Sequence, residues 1–195
     1  MRSLFYKIYS YLFLKYLNFK VRDCFIGKGL VFNGKPKIWI RRSSKISIGN
    51  NLIINSSKYS NLAGLYKNTS IVVFPEAELT IGNNCGFSGV SIYATKSVKI
   101  GDNVKIGVNC MIWDSDFHQV NAYDRAKNIV QNIISREIRI GNNVWIGGNV
   151  IILKGSRIGD NSVIAAGSVL SGKIPKNQVW GGNPAKFIYS ISNIN

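Results

Sequence analysis

The feature of this sequence that most limits its fold is a six-residue repeat between residues 140 and 170. One aliphatic residue falls at each of positions 140, 146, 152, 158, 164 and 170. A helix buries residues about 3.6 apart and a plain strand buries every second one, so neither period explains a strict six. Hexads in which glycine, asparagine or aspartate follows the aliphatic residue are typical of a β-helix, whose coils must stack to bury a core.

A four-residue pattern extends this repeat over most of the chain. Isoleucine, glycine, asparagine or aspartate, and asparagine follow one another at five places, which begin at Ile48, Ile81, Ile100, Ile140 and Ile158. The intervals between them are 33, 19, 40 and 18 residues. Because a coil of three hexads needs about 18 residues, two coils are predicted to carry insertions. We place these insertions near residues 55–70 and 113–139, within a β-helix that spans residues 26–173.

The remaining segments are a basic N-terminal helical segment, residues 1–25, and a short C-terminal cap and tail, residues 174–195. The formal charge of the chain is +16, and residues 1–50 hold eleven Lys or Arg against Asp23 alone. Such a segment favours anionic partners: phosphates, an acidic membrane face or nucleic acid. Aromatic and basic residues do not interleave in a recognised nucleic-acid-reading motif, so we expect no nucleic acid partner.

Residues 1–20 form the one stretch with helical character. Lys7 and Lys15 interrupt an apolar run that is too short to span a membrane, and no small-residue cleavage site follows. Two interpretations remain. The helix packs on its own domain or on a neighbouring subunit, or it lies in the interface of an anionic membrane with tyrosines and lysines at headgroup level.

The three cysteines are odd in number and show no metal-ligand spacing. Cys85 and Cys110 both occupy the small fifth place of a hexad, so we interpret them as packing residues. Free cysteines are typical of a reducing, cytoplasmic setting.

The second insertion holds the only histidine, His118, which follows Asp114 and Asp116. Loops on a rigid scaffold often carry function, and a general base at neutral pH is most naturally a histidine. A surface histidine without a function is the alternative. The two carboxylates fit a base, a metal site or a turn, although one histidine and two scattered aspartates do not predict a catalytic metal.

Four stretches together resemble the hexapeptide-repeat acyltransferases, above all the maltose and galactoside O-acetyltransferases and the related polysaccharide O-acetyltransferases. They are the tandem hexads, the loop DSDFH, the run IGNNVWIGGNVIILKGSRIGDNSVIAAGSV and the ending IPKNQVWGGNPAKFI, over roughly residues 70–190. The resemblance implies an all-β fold, a left-handed parallel β-helix. It also implies a homotrimer with acetyl-CoA bound in clefts between subunits, and no required metal.

The resemblance also implies roles for individual residues. His118 matches the catalytic histidine that removes the proton from an acceptor hydroxyl as its oxygen attacks the thioester. The backbone N–H of Gly148 takes the place of the oxyanion donor. Trp145 flanks the acceptor or pantetheine channel, or it fills the seam between subunits. Asp114 and Asp116 are candidates for acceptor binding, and Asp116 alternatively orients His118 or forms a turn.

For the cofactor, the resemblance implies a second group of contacts. Ala166 matches a backbone contact to the extended pantetheine arm, where a small side chain lets the ligand approach. Ser171 lies at a position near the cofactor, and Lys173 stands one place beyond a usual lysine. Lys186 matches a basic residue near the nucleotide end, where a point charge suits phosphate.

The acceptor surface departs from the galactoside branch. Ser88 and Lys96 stand where that branch has a sugar-binding asparagine and aspartate, so we expect Ser88 to belong to a different acceptor surface. This difference favours a larger glycan, such as a cell-surface polysaccharide precursor made at the cytoplasmic face of a membrane. Two alternatives stay open: an N-acyltransferase for amino sugars or a serine O-acetyltransferase of the same fold, and a non-catalytic basic protein that binds membrane or nucleic acid.

Overall fold

The structure is a computed structural model that describes residues 2–192 of the chain. It is a three-sided parallel β-helix preceded by one α-helix, α1 (Arg2–Lys20). The predicted β-helix of hexapeptide coils with an N-terminal helix is therefore confirmed. The outermost parts of the predicted terminal segments, residue 1 and residues 193–195, lie outside the described residues.

Each coil contributes one strand to each of three sheets. The first sheet contains β1 (Asp23–Ile26), β4 (Lys45–Ile48), β7 (Glu78–Ile81), β10 (Ser97–Ile100), β13 (Ile138–Ile140), β16 (Arg157–Ile158) and β19 (Lys173–Ile174). The second contains β2 (Val31–Gly34), β5 (Ile53–Ser56), β8 (Gly86–Ser88), β11 (Lys105–Val108), β14 (Trp145–Ile146), β17 (Val163–Ile164), β20 (Gln178–Gly181) and β21 (Lys186–Ser190). The third contains β3 (Lys37–Ile40), β6 (Ser70–Val73), β9 (Ser91–Ala94), β12 (Met111–Trp113), β15 (Ile151–Leu153) and β18 (Val169–Leu170). All described pairs are parallel except β20 with β21, the antiparallel hairpin that ends the stack.

The repeated isoleucines point into the prism and stack on one another. Ile100 pairs in register with Ile140, and Ile140 pairs with Ile158, and all three are buried. Burial of each such side chain contributes about 2 kcal/mol, and only stacked coils remove all of them from water.

The asparagine that ends each tetrad turns the chain at the corner between the first and second sheets. These residues have positive φ angles of 57° to 60° at Asn51, Asn84, Asn103, Asn143 and Asn161. Asparagine tolerates this left-handed conformation better than most residues. The amide of each of the first four donates to the side-chain oxygen of the next, at 2.9, 3.3, 3.0 and 2.9 Å, and the Asn161 amide donates to Asn177 at 2.8 Å. The tetrad is therefore a corner whose side chains also connect neighbouring coils.

Helix α1 covers the apolar N-terminal end of the stack. Leu17 is buried, Phe13 packs against Phe32 with ring centroids 5.6 Å apart, and the Ser10 hydroxyl accepts from the Phe32 N–H at 3.1 Å. The first coil begins at Asp23, three residues before the predicted boundary, because the chain turns into β1 as soon as the helix ends. No described helix has both the length and the apolarity needed to cross a membrane.

Cys85 and Cys110 are buried in the core, which confirms the prediction that they are packing residues. Burial raises the pKa of the Cys110 thiol to about 11, so the thiol stays neutral at physiological pH.

Candidate active site

The long second insertion, residues 114–137, leaves the third sheet after β12 and returns to the first sheet at β13. Its first residue, Asp114, is 0% exposed. The Asp114 carboxylate accepts from the backbone N–H groups of Thr95, Lys96 and Ser97 at 2.8, 2.7 and 2.8 Å, and from the Thr95 hydroxyl at 2.9 Å. Because protein donors occupy both of its oxygens, the geometry favours an anchoring role for Asp114 over the predicted contact with an acceptor. These bonds connect the root of the loop to the turn after β9.

Asp116 is held by a different partner. Its carboxylate pairs with the Lys154 ammonium in the turn after β15. Its described contact with His118 is through the backbone, where the His118 N–H donates to the Asp116 carbonyl at 2.8 Å. Of the roles considered for Asp116, the geometry favours the turn, with Lys154 fixing its position.

His118 is presented to solvent by the aromatic residue before it. Phe117 has a φ of 64°, which is unusual for a bulky residue and indicates a backbone held by its surroundings. Its ring centroid lies 4.8 Å from that of Tyr93 and 5.5 Å from that of Trp113, both on the outer face of the third sheet. His118 itself is exposed. The packed phenylalanine therefore fixes the backbone that carries a free imidazole.

A cleft of about 530 Å³ lies along the corner between the second and third sheets. Trp145, Gly148 and Ala166, three of the predicted site residues, line it together. The Trp145 side chain is 59% exposed and forms part of the cleft wall. Asn61 and Ala63 of the first insertion line the cleft as well.

Two backbone N–H groups in this cleft, those of Gly148 and Ala166, have no acceptor among the described residues. Their neighbours are paired: the Gly147 N–H donates to the Ile164 carbonyl at 2.8 Å, and the Gly167 N–H donates to the Gly148 carbonyl at 2.9 Å. A Cβ on Gly147 would lie 2.6 Å from the Ala166 nitrogen, so this corner accepts only glycine. Free N–H groups in a cleft can stabilise a negatively charged oxygen.

The first insertion folds back over the same corner, which the sequence did not predict. Leu65 is buried beneath it, and the Asn109 amide donates to the Gly64 carbonyl at 2.9 Å. The Asn61 amide donates to the Ser88 hydroxyl at 3.0 Å. Ser88 is only 6% exposed under this loop, so the geometry favours a packing role for Ser88 over the predicted contact with an acceptor. The stretch contains two leucines, of which Leu65 is buried and Leu62 is 89% exposed, so the sequence alone did not indicate which one packs.

The remaining predicted residues lie elsewhere on the surface. Ser171 follows β18, Lys173 lies in β19 of the first sheet, and Lys186 begins β21, and all three are exposed. Neither they nor His118 line the cleft, so one chain does not assemble the complete predicted site. Within residues 2–192, no three His, Cys, Asp or Glu side chains come together in a group that could hold a metal ion.

Comparison with known families identifies the repeat. Residues 137–172 match the family described as bacterial transferase hexapeptide (six repeats), and residues 97–112 match the hexapeptide repeat of succinyl-transferase. Both stretches therefore carry the repeat of the hexapeptide transferases. The two matched ranges include β10 and β11 before the long loop and β13 to β18 after it, and so the coils that form the cleft.

The chain is similar to the galactoside O-acetyltransferase of Escherichia coli (strain K12), with 44% identity over 97 residues. The match covers 50% of the chain and 46% of that relative, so the chain spans about half of its length. A galactoside acetyltransferase solved in complex with coenzyme A aligns with a TM-score of 0.54 and 29% identity, over 86% of this chain and 66% of that one. The Bacillus cereus N-acyltransferase AntD aligns with a TM-score of 0.68 but 15% identity, over 92% and 89%, and shows the fold alone.

Proposed function

We propose that this chain is an acetyl-CoA-dependent O-acetyltransferase that acts on a saccharide hydroxyl, in the precursor of a cell-surface polysaccharide. The observation that carries the proposal is the presentation of His118. Its loop is anchored by the buried Asp114 carboxylate and by the packed Phe117 ring, yet its imidazole is exposed. A rigidly held and accessible imidazole suits a general base.

The residues divide the chemistry between them. Acetyl-CoA supplies the activated acyl group, and His118 removes the proton from the acceptor hydroxyl as that oxygen attacks the thioester carbonyl. The proton then passes to the departing thiolate. The free N–H of Gly148 donates to the oxygen on which negative charge develops, and the nearby Ala166 N–H provides a second donor.

The cleft fits a narrow, extended ligand arm. Its walls are Trp145 and Val163, and its floor consists of glycine and alanine backbone, including Gly148 and Ala166. A volume of about 530 Å³ lies in the range of small-molecule sites. Of the exposed residues outside the cleft, Ser171 and Lys186 remain candidates for contacts toward the nucleotide end of CoA.

Replacing Ala166 with phenylalanine should lower the affinity for CoA by roughly tenfold or more, because the ring fills the cleft that the pantetheine arm would occupy. Ala166 is exposed, so the melting temperature should change little. Calorimetric titration with CoA measures the affinity. Ala126→Phe, at an exposed position in the short helix α2 (Ala122–Ala126), is the matched control and should bind CoA normally. Equal affinity in both variants would place CoA elsewhere.

We further propose that the active unit is a homotrimer, in which the loop of one subunit brings His118 to the cleft of the next. The support is that His118 does not line the cleft of its own chain, whereas a complete site needs both.

Co-expressed His118→Ala and Ala166→Phe chains should then regain activity, to about a quarter of the native level if they mix randomly. No recovery in verified mixed trimers, or a monomeric mass in solution, would contradict a shared site.

We place this enzyme in the cytoplasm, at the inner face of a membrane that α1 contacts. The outer side of α1 exposes Tyr11, Leu12 and Phe19, with Phe19 92% exposed, and Lys15 lies among them. Aromatic and aliphatic side chains interleaved with lysine suit the headgroup level of an anionic bilayer.

The membrane proposal predicts that the protein sediments with vesicles that contain anionic lipid and that Leu12→Ser combined with Phe19→Ser reduces the bound fraction severalfold. Both side chains are exposed, so the fold should survive the change. Leu62→Ser combined with Val130→Ser, at exposed loop positions, is the matched control. If both double variants bind vesicles equally well, α1 is not the contact.

The experiment that tests the proposed function measures release of free thiol from acetyl-CoA in the presence of a panel of acceptors. The panel contains free sugars, oligosaccharides, polysaccharide precursors, amino sugars and serine. We expect a saccharide hydroxyl acceptor to stimulate release. Stimulation only by an amine would favour the N-acyltransferase alternative, and no stimulation by any acceptor would contradict the proposal.

A further inference from the structure

Four cationic side chains form a column on the outer face of the first sheet. Lys99 pairs in register with Arg139, Arg139 pairs with Arg157, and Arg157 pairs with Lys173. The four residues therefore occupy the same outward position on four consecutive coils. We call this set the cationic ladder. With coils about 4.8 Å apart, it is roughly 14 Å long.

Such a ladder costs stability, because like charges at directly opposed positions of neighbouring strands repel. Glu78 partly offsets Lys99, with a 2.8 Å ion pair, and Glu137 pairs with Arg139. Among the described residues, no carboxylate forms an ion pair with Arg157 or Lys173. The acids at the adjacent corner, Asp102 and Asp160, form no ion pair with the ladder among the described residues, and their carboxylates each accept a backbone N–H at 2.6 Å. The ladder therefore keeps an excess of positive charge.

The ladder lies between two concave surfaces. On one side is a groove of about 690 Å³ that all four cations line, and glycine backbone of the tetrads at Gly101, Gly141 and Gly159 forms its floor. On the other side is a hollow of about 520 Å³, to which Lys96 and Arg136 add two more positive charges. A groove with a row of positive charges along one wall suits an extended anionic chain.

The hollow on the other side of the ladder reaches the loop that carries His118. Arg136 belongs to the end of that loop, and its backbone N–H donates to the Asp114 carbonyl at 2.8 Å, at the loop's root. The Arg136 carbonyl accepts from the Gly155 N–H at 3.2 Å, and both residues line the hollow beside the ladder. A chain bound along the ladder would therefore run to the base of the loop.

We propose that the cationic ladder binds an acidic glycan, a saccharide chain with carboxylate or phosphate groups, and holds it as the acceptor whose hydroxyl is acetylated. This inference rests on the proposed function and names the class of its substrate. Three other occupants fit less well. Single-stranded nucleic acid is usually held by aromatic side chains, and no aromatic residue lines the described groove. A bilayer needs a raised apolar face, which lies on α1 at the other end of the stack. A second copy brings only nine acidic residues against 25 basic ones.

The test is binding of polygalacturonate, a polymer with one carboxylate per sugar, measured without acetyl-CoA in low-salt buffer. Native protein should bind it more tightly than neutral dextran of similar length, and added salt should weaken the binding. Arg139→Gln combined with Arg157→Gln should lower the affinity by roughly tenfold or more. Lys28→Gln combined with Lys58→Gln removes the same charge at exposed positions away from the groove and should lower the affinity by no more than about twofold.

A melting-temperature measurement separates binding from folding. Because the ladder is internally repulsive, Arg139→Gln combined with Arg157→Gln should melt at the native temperature or above it. Equal loss of polygalacturonate binding in the ladder and control variants would overturn the inference, and so would preference for single-stranded DNA or anionic vesicles in competition. Native binding without acetyl transfer to any acceptor would contradict only the proposed function. If the ladder variant transfers acetyl groups to acidic acceptors as fast as the native protein does, only the proposed role of the cationic ladder is contradicted.

Discussion

Replacing His118 with alanine should lower the rate of acetyl transfer by about 10²-fold or more, because the acceptor hydroxyl then loses its general base. The effect should fall on kcat rather than on the affinity for CoA, since the general base acts on the acceptor hydroxyl and not on the bound cofactor. The measurement is thiol release from acetyl-CoA with the best acceptor, together with calorimetric CoA binding. The exposed position of His118 means that the fold should be unaffected.

Two controls make the His118 result decisive. Val120→Ala changes a neighbouring exposed residue of the same loop and should leave the rate within about twofold. His118→Asn keeps a polar side chain without an effective base, so it should be as slow as the alanine variant. If His118→Ala transfers acetyl groups at the native rate, the base is another group, and transfer to an amine, which needs less assistance, becomes the better explanation.

The coil architecture could be predicted because each turn of the β-helix repeats the same local requirement. An inward aliphatic residue and a corner asparagine recur at fixed spacing, and Ile140 and Asn143 occupy those positions in the structure. The two insertions were found from the same count, since a coil with additional residues must eject them as a loop. Periodicity therefore determined the scaffold and the places where it is interrupted.

The site was less predictable, because periodicity says nothing about residues that leave the repeat. The first insertion returns to the cleft through contacts such as Asn61 with Ser88, which depend on tertiary packing and have no spacing in sequence. The chemistry of Asp114 was equally ambiguous. The sequence shows an aspartate close to the only histidine. It does not show whether the carboxylate of that aspartate faces a ligand or three backbone N–H groups.

The sequence also could not predict that His118 lies away from the cleft of its own chain. Trp145, Gly148 and Ala166 belong to neighbouring coils, so their spacing in the repeat brings them together. His118 lies on a loop that leaves a different corner of the prism. Register within one chain cannot show how such a loop would meet a second chain, as we propose for this part of the site.

Asp114→Asn should destabilise the fold by about 3 kcal/mol, the largest effect on stability that we expect from a single polar substitution here. The native carboxylate accepts from four donors on Thr95, Lys96 and Ser97, with no exposure to water. An asparagine has one acceptor oxygen, and its NH₂ group would face N–H groups that need an acceptor. Buried N–H groups would therefore lose their partners at the root of the loop.

A loss of about 3 kcal/mol should lower the melting temperature by roughly 6 to 12 °C in a chain of this size. Asp23→Asn, an exposed aspartate in β1, is the matched control and should change stability by less than about 0.5 kcal/mol. If Asp114 contacted the acceptor, Asp114→Asn would instead raise the KM for the acceptor at an unchanged melting temperature. The anchoring role predicts an effect on stability and not on KM. At temperatures where the variant is folded, its KM for the acceptor should stay near the native value. On heating, the variant should lose activity at a lower temperature than the native protein. The loop that carries His118 thus depends on a carboxylate that never meets the substrate.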